Sequence, residues 1–545
     1  MTATGGQPPP TDGIAARVWA RDTGLWTADA AAAKEVAERL GWLDLPSSMR
    51  SELPRLREFA AAVAADGIDR VLVCGMGGSS LCVEVLARVV GVQPGWLEVR
   101  VLDSTHPDAV AAAAAWATPE RSLYLIASKS GTTTEPNDFA AFFEHHAAGL
   151  GADAGRHFAA ITDPDTPLVE QAGRQDWRQV FENPPDIGGR YSALSLFGLV
   201  PAALLGIDLD GLLGRAAVMA TACGPEVADD HNPAVRLGRF MAEQALAGRD
   251  KLTLLTPPAL ASFGLWVEQL LAESTGKQGT GVLPVVGEKP GPAVAFGADR
   301  AVVAVGYAGQ DPPGAKELAA AGQPLLELDL PDPLGLGGAF FQWELATAVA
   351  GHLLGINAFD QPDVQAAKDA TKRVLGEVGG DPAALPAADV RLAVPADVPA
   401  AAAALRELLG GVAPPEYVAI QAYLDPDGPA AATLEETRTL LRDATTAAVT
   451  VGFGPRFLHS TGQFHKGGPN TGRFVQLTDT PAADLEVPGR AYTFGTLVAA
   501  QAAGDAEALR AKGRRVVRVH LDGQQEAGAL LREAVGVALG VAGHR

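Results

Sequence analysis

The chain has 545 residues, with 43 Lys+Arg against 64 Asp+Glu and a formal net charge of −21. That length is more than one hydrophobic core serves, which implies two or three α/β domains. The acidic balance excludes a surface that tracks nucleic-acid phosphates and leaves room for a local basic site holding one small anion.

Residues 1–13 (MTATGGQPPPTDG) are small, polar and proline-rich, which predicts a frayed terminus with no apolar stretch of signal-peptide type. No window approaches an uncharged run of ~20 apolar residues, so no membrane span is expected. Cys74, Cys82 and Cys223 are an odd set without ligand spacing, which argues against a disulfide framework or a zinc site and fits a reducing, cytoplasmic setting.

From Trp19 to Ala65 apolar residues recur at helical spacing, until Gly67-Ile68-Asp69 breaks the pattern. This stretch predicts a helical arm. Short apolar runs then alternate with amphipathic stretches, predicting strands at 70–75, 97–103, 122–128 and 158–162. A second round follows a helix over 232–246, with strands at 251–256, 301–307 and 324–330 and helices over 340–354 and 362–375. Such alternation implies parallel sheets with helices on both faces. Residues 379–403 are rich in Gly, Pro, Ala and Asp and predict a linker or surface connection. Beyond it, strands at 417–423, 448–453, 474–478 and 515–521 predict a further α/β unit. The expected division is an arm at 1–50, α/β domains at 51–225 and 226–385, and a C-terminal α/β unit at 400–545.

The clearest local signal is Val71-Leu-Val-Cys-Gly-Met-Gly-Gly-Ser-Ser80, a strand running into a glycine-rich turn and a helix. That geometry aims backbone N–H groups at an anion, with Gly77, Gly78 and Ser79 as candidates. Gly75-Met-Gly77 also resembles the start of a dinucleotide fingerprint, with Asp103 ending the next strand, but position 80 is Ser where the third glycine belongs. A second turn, Ser128-Lys-Ser-Gly-Thr-Thr-Thr-Glu-Pro136, follows the third strand. Ser128, Lys129, Ser130, Thr132, Thr133 and Thr134 offer donors there, and Gly131 allows close backbone approach. Together the two turns describe a monophosphate clamp without a metal. Either turn alone reads better as an ordinary tight turn or cap without a ligand.

These residues resemble the sugar isomerase domain, whose GxGGS and SxSGxTxE loops bind a phosphosugar. Gly188-Gly-Arg-Tyr-Ser192, Glu273-Ser-Thr-Gly-Lys277 and Phe359-Asp-Gln-Pro-Asp-Val-Gln-Ala-Ala-Lys368 narrow the resemblance to glucose-6-phosphate isomerases, and in particular to the isomerase portion of bacterial transaldolase/glucose-6-phosphate isomerase fusions. The resemblance implies two three-layer αβα domains of sugar isomerase type followed by the C-terminal unit. It also implies interconversion of glucose 6-phosphate and fructose 6-phosphate through an enediolate, no cofactor, and a homodimer.

An aldose–ketose isomerisation needs a base that reaches both C1 and C2 and a cation for the developing oxyanion. By resemblance Glu273, at a helix end, is the base, Arg190 the cation, and Lys368 a partner of the ring oxygen and hydroxyls. The plain alternatives are a solvated helix-end Glu, an Arg190–Asp186 ion pair and an exposed lysine. Gln361 and Lys368 stand seven residues apart, hence on one helical face, with Asp360 able to cap and Pro362 suited to the first turn. The family's ring-opening histidine precedes the lysine, where this sequence has only His352, inside an apolar helix and expected in the core. A counterpart occurs later, in Leu458-His-Ser-Thr-Gly-Gln463, followed by Phe464-His465. His459 is therefore expected to open the ring, with His465 second, and the active site to need the C-terminal unit. A buttressing role for this loop stays open. So do two other functions: a non-catalytic sugar-phosphate sensor, and an isomerase of another phosphosugar such as mannose 6-phosphate.

Overall fold

The computed structural model describes residues 13–379 and 384–541. The proposed frayed terminus and the start of the proposed linker fall largely outside them.

Three parallel sheets organise the described residues. The first joins β1 (Arg70–Gly75), β2 (Glu98–Leu102), β3 (Ser122–Ala127), β4 (Phe158–Thr162) and β5 (Gln179–Glu182) in the order β2-β1-β3-β4-β5. The second joins β6 (Lys251–Leu255), β7 (Leu283–Val285), β8 (Arg300–Tyr307) and β9 (Leu325–Leu330) as β7-β6-β8-β9. The third joins β10 (Val390–Leu392), β11 (Tyr417–Tyr423), β12 (Ala448–Phe453), β13 (Gly472–Asp479) and β14 (Arg515–Leu521) as β10-β14-β13-β11-β12. The mixed α/β class with parallel sheets is the one expected. Central strands such as β3 and β11 are buried at every position, because helices cover both sheet faces.

Local signals explain several elements. Helix Leu53–Ala65 buries Leu56, Phe59, Ala60 and Val63, one face at helical spacing. Helix Pro233–Leu246 starts where Asn232 Oδ1 accepts from the Ala234 and Val235 amides, each at 3.1 Å, with proline in the first turn.

The N-terminal arm, expected to be helical, is a series of short helices packed into the main core. Trp42 is fully buried, Trp19 Nε1 donates to Cys223 O and Trp26 Nε1 to Ala348 O, each at 2.8 Å. The stretch 379–403, expected as a linker or surface connection, also carries regular structure. Its described part contains β10, paired in register with β14 from Val390–Val519 to Leu392–Leu521, and the start of helix Val398–Leu409. The alanine-rich composition that reads as a linker is there an ordinary helix former.

The C-terminal unit has its own core around Leu405, Val418, Leu441 and Leu531. It also packs on its neighbours. Phe494 and Leu497 enter the cluster of Tyr124, Phe139 and Phe158 on the first sheet, and Ala500 and Ala503 pack against Val374.

Candidate active site

Chain order in the first sheet runs from β1 outward to β2, then back across β1 to β3. This reversal opens a crevice at the strand carboxyl ends, the place where open α/β sheets hold ligands. Both motif turns leave from it, since β1 and β3 are paired neighbours. A cavity of about 400 Å³ lies there.

The β1 turn is wedged between two other segments. Gly77 has φ +55°, and a β-carbon on it would come within 2.6 Å of Gln269 Nε2 and 3.0 Å of His459 O. A β-carbon on Gly78 would overlap the Gly189 carbonyl. Two glycines are thus what lets this turn touch helix Phe263–Thr275, the Gly188–Arg190 turn and the His459 loop at once.

In the β3 turn, Ser128 Oγ bonds Thr133 Oγ1 at 3.2 Å and Ser130 Oγ bonds Thr132 Oγ1 at 2.9 Å. Thr133 occupies the N-cap of helix Thr134–His146 with its hydroxyl not used as a cap, so the helix N-terminus and this hydroxyl remain available to an anion. Lys129 is ion-paired with Asp163 and donates to Pro185 O at 2.9 Å.

Glu273 sits in the last turn of helix Phe263–Thr275, largely buried, with Gln269 Nε2 3.2 Å from Oε2 and Arg190 Nη1 3.5 Å from Oε1. Arg190 is buried and fully oriented. Its Nε donates to Ser274 Oγ at 2.7 Å, Nη1 to Gln361 Oε1 at 2.9 Å, and Nη2 to the Ala358 and Asp360 carbonyls at 2.8 and 2.9 Å. Its carboxylate neighbour is Glu273, not Asp186.

His459 arrives from the loop after β12. Its carbonyl accepts from Gln269 Nε2 at 2.9 Å, and its Nε2 lies 3.3 Å from Glu135 Oε1. Gln501 Nε2 donates to that same Glu135 oxygen at 2.8 Å, and Thr105 Oγ1 to Gln501 Oε1 at 2.7 Å. Burial works to raise the Glu135 carboxyl, but the charge and hydrogen bond of His459 outweigh it and hold it below its usual range. The result is a carboxylate–imidazole pair whose geometry is set by the C-terminal unit.

Of the residues singled out in the sequence, Gly77, Gly78, Ser79, Ser128, Lys129, Ser130, Thr133, Arg190, Glu273, Gln361 and His459 line the one cavity. Thr132 and Lys368 do not. They line an adjoining cavity of about 210 Å³ that shares Ser130, Thr133 and His459 with the first. Gln361 and Lys368 do not share a helical face, because the helix begins at Val364. Asp360 forms no cap, since Lys277 Nζ holds its Oδ1 at 2.8 Å. His465 is outside both cavities. It is buried, stacked on Tyr417 with Nδ1 3.0 Å from Tyr417 Oη, and burial pushes its imidazole well below the usual range. His352 is a core residue, with Nδ1 2.7 Å from Leu25 O.

Sequence reasoning passed over Gln269, Glu135, Gln501, Arg39 and Lys277. Gln269 precedes Glu273 by one helical turn, and Glu135 and Lys277 close motifs already noticed, so these three carried a signal. Burial and then Arg190 lower the Lys277 ammonium to about 7, while Asp360 works against them.

A family model described as phosphoglucose isomerase matches residues 48–298. A glucose-6-phosphate isomerase of Symbiobacterium thermophilum is 30% identical over 400 residues, covering 62% of this chain and 87% of that protein. The chain belongs to the phosphoglucose isomerase family. A second relative, the glucose-6-phosphate isomerase of Rubrobacter xylanophilus, is 28% identical over 393 residues, covering 62% of this chain and 90% of its own. Among solved structures, a hypothetical protein from Thermus thermophilus superposes with a TM-score of 0.57 at 25% identity, over 66% of this chain and 93% of that one. Arg39 lies ahead of the span matched by the family model, and His459 and Gln501 lie beyond it.

Proposed function

We propose that this phosphoglucose isomerase family member interconverts D-glucose 6-phosphate and D-fructose 6-phosphate. The observation that carries the mechanism is the convergence of Glu273, Arg190 and His459 with both hydroxyl-rich turns on a single cavity. The phosphate sits on the Gly77–Ser79 and Ser128–Thr133 turns, at the N-terminus of helix Thr134–His146. His459, oriented by Glu135, gives a proton to the ring oxygen as the C1–O5 bond breaks and, as the C1=O bond forms, recovers one from the C1 hydroxyl through solvent. Glu273 then removes the C2 proton and returns it to C1, while the C2 hydroxyl proton passes to the C1 oxygen to complete the ketose. Arg190, immobilised by four hydrogen bonds, faces the enediolate oxygens without reorganising. Lys368 reaches the sugar from the adjoining cavity.

The proposal keeps the division at 51–225, 226–385 and 400–545, supported by one sheet centred in each interval, with β10 added to the last. A homodimer is carried over from the family. A cytoplasmic setting rests on the phosphorylated substrate and on three buried, free cysteines. Among the described residues no helix is long and apolar enough to cross a membrane.

A coupled assay of fructose 6-phosphate formation tests the reading. Turnover by the wild type, with loss of C2-proton exchange in Glu273→Gln, is expected. Tight sugar-phosphate binding without turnover would establish a sensor instead.

A further inference from the structure

The charged groups of the main cavity do not balance. Three guanidinium or ammonium groups line it, Arg39, Lys129 and Arg190, against two carboxylates, Asp163 and Glu273. Each carboxylate already has a cation: Lys129 pairs with Asp163 and Arg190 lies 3.5 Å from Glu273. Arg39 is the remainder. Its nearest carboxylate is Glu35 at 4.0 Å, one helical turn back and half exposed, and its Nη1 donates to Glu38 O at 3.2 Å. An exposed pair at that separation holds a guanidinium weakly.

The backbone beside Arg39 is nevertheless fixed. Leu40 forms an antiparallel bridge with Ile187, and Gly41 N donates to Asp186 O at 2.9 Å, so the N-terminal segment runs alongside the Gly188–Arg190 turn. The Arg39 stem passes over Gly188, its Cδ 3.6 Å from where a β-carbon would stand, which is ordinary packing distance. Burial raises the Asp163 carboxyl, and the charge of Arg39, like that of Lys129, works against it, so Arg39 is felt by the carboxylate that Lys129 pairs on the cavity wall.

We propose that Arg39 is a binding residue for the dianionic phosphate of the substrate, supplied by the N-terminal segment ahead of the family-matched region. In a chain of net charge −21, a phosphate dianion approaches against an unfavourable overall field. The cations of both motifs are already committed to carboxylates. A permanently charged, weakly engaged and partly exposed guanidinium in the cavity wall attracts the phosphate and gives it a planar, bidentate partner. Arg39 touches no carbon that reacts, so it acts on binding and not on the chemical step.

This inference rests on the phosphosugar reading, and the experiment separates the two. KM and kcat for glucose 6-phosphate, and the Kd of inorganic phosphate by calorimetry, are compared for wild type, Arg39→Gln and Arg39→Lys at low and high ionic strength. Arg39→Gln is expected to raise KM and the phosphate Kd together by about fivefold at low salt, with kcat within about twofold and a shallower salt dependence. Arg39→Lys, which keeps the charge but not the bidentate fork, should recover part of both. Unchanged KM and phosphate Kd, a fall in kcat at constant KM, or a lysine no better than glutamine overturns the role of Arg39. A wild type that does not turn over while Arg39→Gln still weakens phosphate overturns the isomerase and leaves the phosphate contact standing.

Discussion

Replacing Glu268 by Gln should make the protein's stability less dependent on pH, and the size of the effect follows from where this carboxyl sits. Glu268 lies on the helix that carries Glu273, is buried, and accepts from Ser460 Oγ at 3.2 Å, next to the proposed ring-opening histidine. Burial raises its pKa to about 7 from an ordinary 4.5, against the opposing hydrogen bond from Ser460 and the charges of Arg438 and Arg456. A carboxyl whose folded pKa exceeds its unfolded one contributes stability that is complete below 4.5 and is lost as pH rises through about 7. At about 1.36 kcal/mol per unit, the loss over that interval is about 3 kcal/mol. Glutamine keeps an oxygen for Ser460 and a similar volume, so the substitution isolates the charge. Urea midpoints of wild type and Glu268→Gln at pH 5 and pH 8 provide the assay. Every other titrating group is common to both proteins and cancels in the double difference. Because pH 5 already lies above 4.5, the variant should gain about 2–3 kcal/mol on the wild type between the two pH values. A double difference below about 0.5 kcal/mol, or of opposite sign, would refute the claim that Glu268 is desolvated in the folded state.

His459→Ala should impair turnover of the closed pyranose about 100-fold while sparing an open-chain analogue, with Glu135→Gln showing a smaller loss of the same kind; equal losses on both substrates remove His459 from ring opening. Gly78→Ala drives a β-carbon into the Gly189 carbonyl and should cost about 1–3 kcal/mol in thermal unfolding as well as most activity. A variant with wild-type kinetics would show that the two turns are not in contact. Lys466 and Asp505 form a buried pair at 2.5 Å, so Lys466→Met should destabilise by about 3–5 kcal/mol, and adding Asp505→Leu should restore much of it. Urea midpoints of the single and double variants measure both.

The legible parts of this fold are those where burial writes itself into local composition. Strands β1, β3, β4 and β11 are covered on both faces and therefore read as continuous apolar runs. The strands absent from the sequence reading, Gln179–Glu182, Leu283–Val285 and Val390–Leu392, are three or four residues long and lie at sheet edges, too short to show any period. At the site, glycine and hydroxyl motifs mark the two turns proposed to hold phosphate because close backbone approach restricts residue type. Helix Val364–Val378 starts later than expected for a different reason. Asp360 and Pro362 carry a sound local start signal, but Lys277 takes the Asp360 carboxylate and Arg190 its carbonyl, and these long-range partners hold 358–361 out of the helix. Glu135 and Gln501 stand 366 positions apart, so no spacing rule connects them.

The position of the histidine after the lysine in the chain is explained by how the three units meet. Gln463, just beyond His459, donates to Gly276 O and to Asp363 Oδ2, both at 2.9 Å, and its Oε1 accepts from the Asp363 amide at 2.9 Å. One side chain thus ties the end of the Glu273 helix to the start of the Lys368 helix. Arg456, just before His459, pairs with Glu84 at 2.9 Å and Asp103 at 2.8 Å on the first unit. The loop after β12 is consequently pinned to both other units on either side of the imidazole. What such chemistry requires is an imidazole within reach of the cavity that holds Glu273, and a rigid loop from any unit satisfies that. Connectivity sets which unit must be present: residues 1–385 retain Glu273, Arg190 and both turns proposed to hold phosphate, but the imidazole and Gln501, which holds Glu135, come only with the third sheet.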